Sequence, residues 1–522
     1  MEENTKSLTK QQAWESAPKM HISCFLYAIF YTFCLYQNRS GITFPFYVGG
    51  TLFFFGFYLK KYGVTAARDN RFWMAALILL GVINCTTDSY VLIGLNRLLG
   101  IVLFAVWMLQ MILGQKTKNW YVGTWCREIL RMFWGSLCKI SAPFKEASAY
   151  RKKHQIQPED EQTRKKRNRI VFAVIIGIAV SIPILFVVGV LLLCADAVFY
   201  QMFCDMFNWL WQWQIPEWLI NGTVFRIIFM VVVCFVYTYG MIVFCRKRQA
   251  QDEAVQENHP QWDAYIAITA AVLIAVLYVM FCGVQIFGLF LGKLSLPEGY
   301  TYAQYARSGF FPLLFVCIIN ICLVPFCHAF FARSKVLNVI LTVICGCTYI
   351  MIASSAYRML LYINCYGMTF LRLSVLWTLA VMILLTAGMI YDVYHEQFGL
   401  FRYLLVVVTL GYLGFAMIHP DYWIAKYNLV MLRQGETTDV YYLQERLSAD
   451  AAPAIAALKQ TDPEEEGYDA EKLKRKYFER IQEENTKMNI RNFNFIRNFN
   501  FSRAVAGYYA DRTLQTKKAL VD

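Results

Sequence analysis

The chain has 522 residues and a formal net charge of +14, from 50 Lys and Arg against 36 Asp and Glu. Hydrophobic residues make up 58%, aromatic residues 16% and charged residues only 16%. Such a balance would make a soluble domain precipitate, and it points to an all-α polytopic helical membrane protein whose charges are concentrated outside the bilayer.

Eleven apolar stretches approach the roughly 20 residues that a helical span needs. They run over 22–36, 42–59, 72–83, 91–113, 170–199, 224–244, 265–289, 310–331, 336–357, 371–391 and 403–418, the first and third being short. Backbone groups in hydrocarbon need partners within their own segment, so these runs are expected to be helices rather than strands. The expected organisation is 1–113 with the first four spans, a basic loop over 114–169, 170–418 with the remaining seven spans, and a soluble, mainly helical tail over 419–522. The basic start runs into an apolar segment without a clear small-residue cleavage site, so no cleavable signal peptide is expected.

Positive charge resists translocation, and its distribution sets the orientation. Lys60, Lys61, Arg68 and Arg71 fall between spans two and three, Arg246, Lys247 and Arg248 between six and seven, and Arg333 and Lys335 between eight and nine. The loop over 114–169 carries 14 Lys and Arg against 5 Asp and Glu. These loops are expected in the cytoplasm, with the N-terminus inside and the tail outside. Arg358 and Arg372 flank the loop after span nine and go against the rule.

Within the basic loop, Tyr121, Trp125, Ile129, Phe133, Leu137, Ile140 and Phe144 recur at steps of three and four, with Arg127, Arg131 and Lys139 off that stripe. The pattern predicts an amphipathic helix lying in the membrane interface. The runs Arg151-Lys152-Lys153 and Arg164-Lys165-Lys166-Arg167 would hold it against anionic lipid headgroups. This favours the bilayer as partner over a nucleic acid, which is not expected.

No metal and no cofactor is expected. The 16 cysteines are dispersed: Cys317, Cys322 and Cys327 scatter round one helix, and Cys345 and Cys347 point to opposite faces. His395 with Asp392 and Glu396 has helical spacing, but a solvated loop edge accounts for it. No glycine-rich phosphate loop and no zinc-protease helix motif is present.

Ionisable groups near the spans are costly to keep there and tend to face a partner or a cavity. Arg97 in span four, Asp196 near the end of span five, Arg226, Arg307 before span eight and Arg358 at the end of span nine gather in the outer third of the membrane on this topology. Aromatic residues thicken on the same side, with Trp209, Trp211, Trp213 and Trp218, then Tyr300, Tyr302 and Tyr305. An anionic lipid phosphate or envelope carboxylate would suit such a rim, while interfacial anchors and an aromatic belt would look the same.

Several segments resemble the motifs of a bacterial multi-pass membrane family defined only as a domain of unknown function. They are Tyr302-Ala303-Gln304-Tyr305-Ala306-Arg307-Ser308-Gly309-Phe310-Phe311, Ser355-Ala356-Tyr357-Arg358-Met359-Leu360-Leu361-Tyr362, Tyr366-Gly367-Met368-Thr369, Ile424-Ala425-Lys426-Tyr427-Asn428 and Leu447-Ser448-Ala449-Asp450-Ala451-Ala452-Pro453, with Cys194-Ala195-Asp196-Ala197-Val198-Phe199 earlier. The resemblance covers roughly 170–503 and implies a bacterial plasma membrane. It directs attention to Asp196, Tyr302, Tyr305, Arg307, Arg358 and Tyr362, which join Arg97 as candidate ligand-binding residues.

The tail balances 16 basic against 16 acidic residues. Helices are expected from Pro420 to Leu432, from a Thr438 cap to Arg446, from Ala451 to Lys459 and from Tyr468 to Lys487, with a linker over 462–467. Arg491-Asn492-Phe493-Asn494-Phe495 recurs at Arg497-Asn498-Phe499-Asn500-Phe501 and is expected to pin the tail onto its own helices. The expected function is non-enzymatic binding or sensing of an envelope ligand at the outer face, with the tail docking a protein partner. A membrane-embedded transferase using Asp196 as base, or a transporter, is the alternative.

Overall fold

A computed structural model describes residues 17–61, 70–117, 120–154, 201–202, 222–250, 262–287, 302–395, 398–434, 439–458, 470–491 and 497–521. Among these the architecture is helical. The bundle helices are α1 (Ala17–Leu35), α2 (Thr43–Lys61), α3 (Asn70–Thr86), α4 (Tyr90–Leu113), α5 (Val122–Leu137), α6 (Ala142–His154), α7 (Thr223–Ala250), α8 (Ala264–Gln285), α9 (Tyr302–Phe330), α10 (Lys335–Tyr366), α11 (Phe370–Tyr394) and α12 (Leu400–Met417). The tail adds α13 (Pro420–Arg433), α14 (Val440–Glu445), a 3-10 turn (Ala449–Ala451), α15 (Ala452–Ala456), α16 (Ala470–Arg491) and α17 (Phe501–Val521).

Seven described helices are long and apolar enough to cross a membrane: α4, α7, α8, α9 from Phe310, α10, α11 and α12. They coincide with seven of the eleven expected spans. Helix α3 is apolar but has only 17 residues, and α1 and α2 fall outside the seven. The expected span over 170–199 lies outside the described residues.

The chain divides into two compact units, Met1–Phe33 with Ser136–Val243 and Cys34–Gly135 with Phe244–Asp522. In the first, His21 Nε2 lies 3.0 Å from the Pro143 carbonyl, its ring 4.7 Å from that of Tyr239. The Tyr239 hydroxyl donates to Glu146 at 2.7 Å.

In the second unit α10 packs against α8, α9 and α11, while α2, α3 and α4 pack in sequence and α12 touches both α11 and α3. Leu341, Ile344, Cys345, Met389 and Ala271 form one buried cluster and Cys317, Met351, Ile352, Leu379 and Met382 another. Several buried polar side chains are paired across helices, which offsets the cost of burial in an apolar medium. Asn320 accepts from Tyr278 at 2.9 Å and donates to Thr348 at 2.9 Å, and His328 Nδ1 lies 2.9 Å from Asp392. Of the His395–Asp392–Glu396 set, Asp392 turns to His328 and the His395 ring stacks on Tyr391 at 3.9 Å, while Glu396 lies outside the described residues.

One expectation for the basic loop changes. The amphipathic stripe is not one helix, because Pro143 cannot continue α5 and the chain turns before starting α6. The buried side of α5 is Thr124, Trp125, Glu128 and Met132. Glu128 draws it inward by pairing with Arg248 at 3.3 Å, while Leu130 and Trp134 face outward.

The tail has its own core of Ile424, Leu432, Leu443, Leu447, Ile455, Leu473, Tyr477, Phe478, Ile481 and Ala506. Leu473, Tyr477 and Ile481 sit inside, as the four-residue steps predict. Asp439, not Thr438, caps α14 by accepting from the Tyr442 N–H at 3.1 Å. Arg480 and Lys474 donate to carbonyls left open at the ends of α14 and α15, at Gln444 (2.9 Å) and Ala456 (2.9 Å).

Candidate functional site

The sequence-predicted residues separate into those with described side chains and those without. Asp196 lies outside the described residues, as do Trp209, Trp211, Trp213, Trp218 and Tyr300. Tyr302, Tyr305 and Arg307 lie on the first two turns of α9 with their side chains outside the described set. Arg97 is on α4, two turns in, and reaches back to donate to the carbonyls of Asn38 at 3.2 Å and Arg39 at 2.6 Å. Its cation thus ties the α1–α2 loop to α4.

Arg358 does not sit in the loop after span nine, because α10 continues to Tyr366. It lies two turns inside that helix, 7% exposed, and donates to Gln285 Oε1 at 3.2 Å. Ser354 donates to the same oxygen at 2.7 Å. Tyr362, one turn further, is half-buried with the Arg372 guanidinium 4.1 Å above its ring, a separation that favours cation–π attraction. Arg372 also donates to the carbonyls of Tyr366, at 2.9 Å, and Gly367. Of the two arginines that break the charge rule, Arg372 is thus folded into the α10–α11 turn and Arg358 is held within the bundle by Gln285. Gly367, at φ +75°, makes that turn in a region favourable to glycine.

The motifs carried by the resemblance converge beside this turn. The Asn428 side chain accepts from the Met368 N–H at 2.7 Å and donates to the Met368 carbonyl at 2.8 Å, copying a strand-like pair of bonds. The Phe370 N–H donates to the Tyr442 hydroxyl at 2.8 Å. Met368, Phe370 and Leu373 rest on the tail core. Four separate sequence segments are thereby fastened at one end of the bundle.

A second and denser cluster holds the tail to the loops of α1–α2 and α3–α4. Asp450 is its centre. One carboxylate oxygen accepts from Thr87 Oγ1 at 2.5 Å and lies 3.4 Å from His419 Nδ1. The other accepts from the Asp88 N–H at 2.8 Å and Ser502 Oγ at 2.5 Å. Asp421 accepts from Ser448 Oγ at 2.5 Å and from its N–H at 3.3 Å. Asp88 pairs with Arg503 Nε at 2.6 Å, and the other arm of Arg503 donates to Ser40 at 2.7 Å.

Asn500, in the second copy of the Arg-Asn-Phe-Asn-Phe repeat, donates to the carbonyls of Ser40 and Thr87, each at 2.9 Å, and the Ile42 N–H donates to the Phe499 carbonyl at 2.8 Å. The repeat's second copy therefore pins the tail to the bundle loops and not to the tail's own helices; the first copy lies largely outside the described residues. Buried amide and carbonyl groups in those loops need partners, and this segment supplies them.

Burial dominates the electrostatics of the cluster. It pushes the Asp421 carboxyl up to about 6, with the Asp450 charge adding to the rise. It also raises Asp88, against the pull of Arg503. His419 is raised above its ordinary value chiefly by its hydrogen bond to Asp450. Its backbone is left-handed at φ +50°, a conformation uncommon for non-glycine residues. The Tyr442 hydroxyl is pushed up to about 12 by burial.

Asp88, His419, Asp421, Asp450 and Arg503 were not picked out as a group in the sequence. One signal was available, three aspartates in otherwise apolar or small-residue surroundings near span ends. The partners that complete the arrangement lie hundreds of residues away in sequence.

No curated protein and no solved structure matches the chain. The family model described as Domain of unknown function (DUF4153) matches residues 74–458. The match starts well before residue 170 and stops short of residue 503, the limits of the motif resemblance, so it takes in α3 and α4 with Asp88 but leaves out Asn500 and Arg503. With about three quarters of its length covered by that model, the chain belongs to the DUF4153 family of integral membrane proteins.

Proposed function

We propose that this integral membrane protein works by binding and not by catalysis, capturing an anionic envelope ligand on the outer face of a bacterial plasma membrane. The N-terminus is cytoplasmic and the tail extracytoplasmic in this reading, in keeping with the basic loops after α2 and α7. The supporting observation is how charge is disposed at the bundle end that carries the tail. The carboxylates Asp88, Asp421 and Asp450 are taken up by Arg503, Ser448, Thr87 and Ser502. These carboxylates are committed to holding the tail against the loops. Cations and aromatic rings are concentrated near the α10–α11 turn: Arg358, hydrogen-bonded to Gln285, Arg372, stacked over Tyr362, and the exposed Tyr357 and Tyr366. Guanidinium forks suit phosphate and carboxylate, and Arg97, Tyr302, Tyr305 and Arg307 are proposed for the same face.

Retention of phosphatidylglycerol, read by native mass spectrometry of protein released from mixed phosphatidylglycerol–phosphatidylcholine nanodiscs, tests the reading. Arg358→Gln should reduce retention about tenfold, the loss of a charge-assisted hydrogen bond of roughly 1.5 to 3 kcal/mol. Retention equal to the parent's in both Arg358→Gln and Arg97→Gln would remove the cationic face as a lipid-phosphate site.

A further inference from the structure

The cluster around Asp450 places three carboxylates, one imidazole and one paired guanidinium in a water-poor seam between the tail and two bundle loops. The tail contributes Asp421 from α13, Asp450 from the 3-10 turn and Arg503 from α17, and His419 precedes α13. The loops contribute Asp88 between α3 and α4 and Arg39 between α1 and α2, the latter acting on Asp88. Tyr477 on α16 feels the charges of Asp450, Asp421 and Asp88, and Tyr442 on α14 that of Asp421. The side chain of Asp450 is fully buried, and those of Asp88 and Arg503 are nearly so, whereas His419 is about one third exposed.

We propose that this seam is a proton-dependent clamp, in which acidification tightens the tail onto the bundle loops and alkalinisation loosens it. With every carboxylate ionised and His419 neutral, three buried negative charges face Arg503 and, at longer range, Arg39. Adding a proton to His419 supplies a cation directly beside Asp450. Adding one to Asp421 removes a charge from the most enclosed position and leaves its bonds to Ser448 possible. Both changes move the seam toward neutrality, and buried charge is costly unless paired.

The linkage has one sign throughout. Asp421 rises from an ordinary 3.8 to about 6 when docked, so the docked state binds more protons across that window and loses stability as pH rises through it. Asp88 is shifted in the same direction by burial. His419 is raised by Asp450, so its contribution is complete below its ordinary 6.5 and fades as pH rises through the docked value. The inference does not depend on the ligand proposed above, since the clamp responds to protons alone.

Amide hydrogen exchange of the full chain in phosphatidylcholine nanodiscs, corrected for the intrinsic pH dependence of exchange, reads the clamp directly. Between pH 5 and pH 8 the opening equilibrium of segments 448–451 and 500–504 should rise by tenfold or more, given a limit of about tenfold per pH unit for each proton released. Amides in the middle of α10 and α11 should not follow. Asp421→Asn imitates the protonated acid and should keep the tail closed at pH 8, flattening the profile, whereas a purely structural aspartate would open the tail at every pH. His419→Asn, which tolerates the left-handed backbone, should make the segments at pH 5 resemble the parent at a higher pH. An opening equilibrium in the parent that is flat or falls with rising pH overturns the proposal, as does an Asp421→Asn tail that opens equally at pH 5 and pH 8. If neither variant folds, the parent's profile decides alone.

Discussion

Asn500 shows how much of the tail's attachment rests on single side chains. Its amide feeds two loop carbonyls and lies 3.3 Å from the Ser40 hydroxyl. Asn500→Ala would leave those acceptors buried without a donor, at about 1 to 3 kcal/mol each where water cannot enter. Faster proteolysis of the tail in membranes, with the bundle intact, is the expected result. Gly41 makes a related contribution, because a Cβ there would come within 2.8 Å of Asn498 Cα and collide with the Arg497 carbonyl. Backbone cannot yield as a flexible side chain can, so Gly41→Ala should detach the same segment and Gly41→Ser should do no better. Neither role could be found from local pattern, since Asn and Gly in a loop suggest only a turn. The tail partners of Asn38, Ser40 and Thr87 lie 363 to 463 residues further along the chain.

The helices divide by how much of their environment is local. The cores of α4, α8, α10, α11 and α12 were legible because long apolar runs have one stable solution in a bilayer. The start of α13 was legible from Pro420 at the first turn, and the buried face of α16 from the steps of Leu473, Tyr477 and Ile481, although α16 runs from Ala470 to Arg491 and not from Tyr468 to Lys487. Helix α17 was not expected at all: its apolar residues carry no strong period, and its order comes from packing on α16 and the 3-10 turn. In α5 the inward side was not legible, because Glu128 is turned inward by Arg248, a residue of another helix. The outward side of α5 gives a prediction at this scale. Trp134 is 71% exposed, and its ring should lie at headgroup depth. Brominated lipids with the label near the headgroup should quench the parent's fluorescence more than that of Trp134→Phe, and equal quenching would take this face away from the bilayer.

At the scale of the molecule, orientation is what links the proposed face to a compartment. In a cysteine-free background, Asp511→Cys on α17 should react with an impermeant maleimide added outside, and Ser148→Cys on α6 should react only after the membrane is opened. The reverse pattern would move the tail and its clamp into the cytoplasm. Composition and span pattern made the membrane class legible, and positive charge suggested a direction. The three-dimensional meeting of the tail with the loops at Ser40 and Asp88 was not, because no periodicity connects residue 87 to residue 450. The family motifs at Gly367–Thr369, Lys426–Asn428 and Ser448–Asp450 were visible as text. Their shared task, fastening the tail at one end of the bundle, became visible only in the fold.

The hydrogen bond from Thr87 to Asp450 joins residues 363 positions apart, and that separation also measures time. A ribosome adding about 5 to 20 residues per second needs roughly twenty seconds to more than a minute between the two. Throughout that interval the α3–α4 loop waits with Asp88 lacking Arg503, and even after residue 450 emerges the arginine is still some fifty residues behind. Closure of the seam therefore waits for a segment made after all the expected spans, and a chain stopped at residue 496 would carry those spans yet lack Asn500, Ser502 and Arg503. Such a chain should insert normally and then be cleared by membrane proteases much faster than the full-length protein, a difference that pulse-chase labelling would record. The seam thus separates a molecule whose tail has docked from one that is merely inserted.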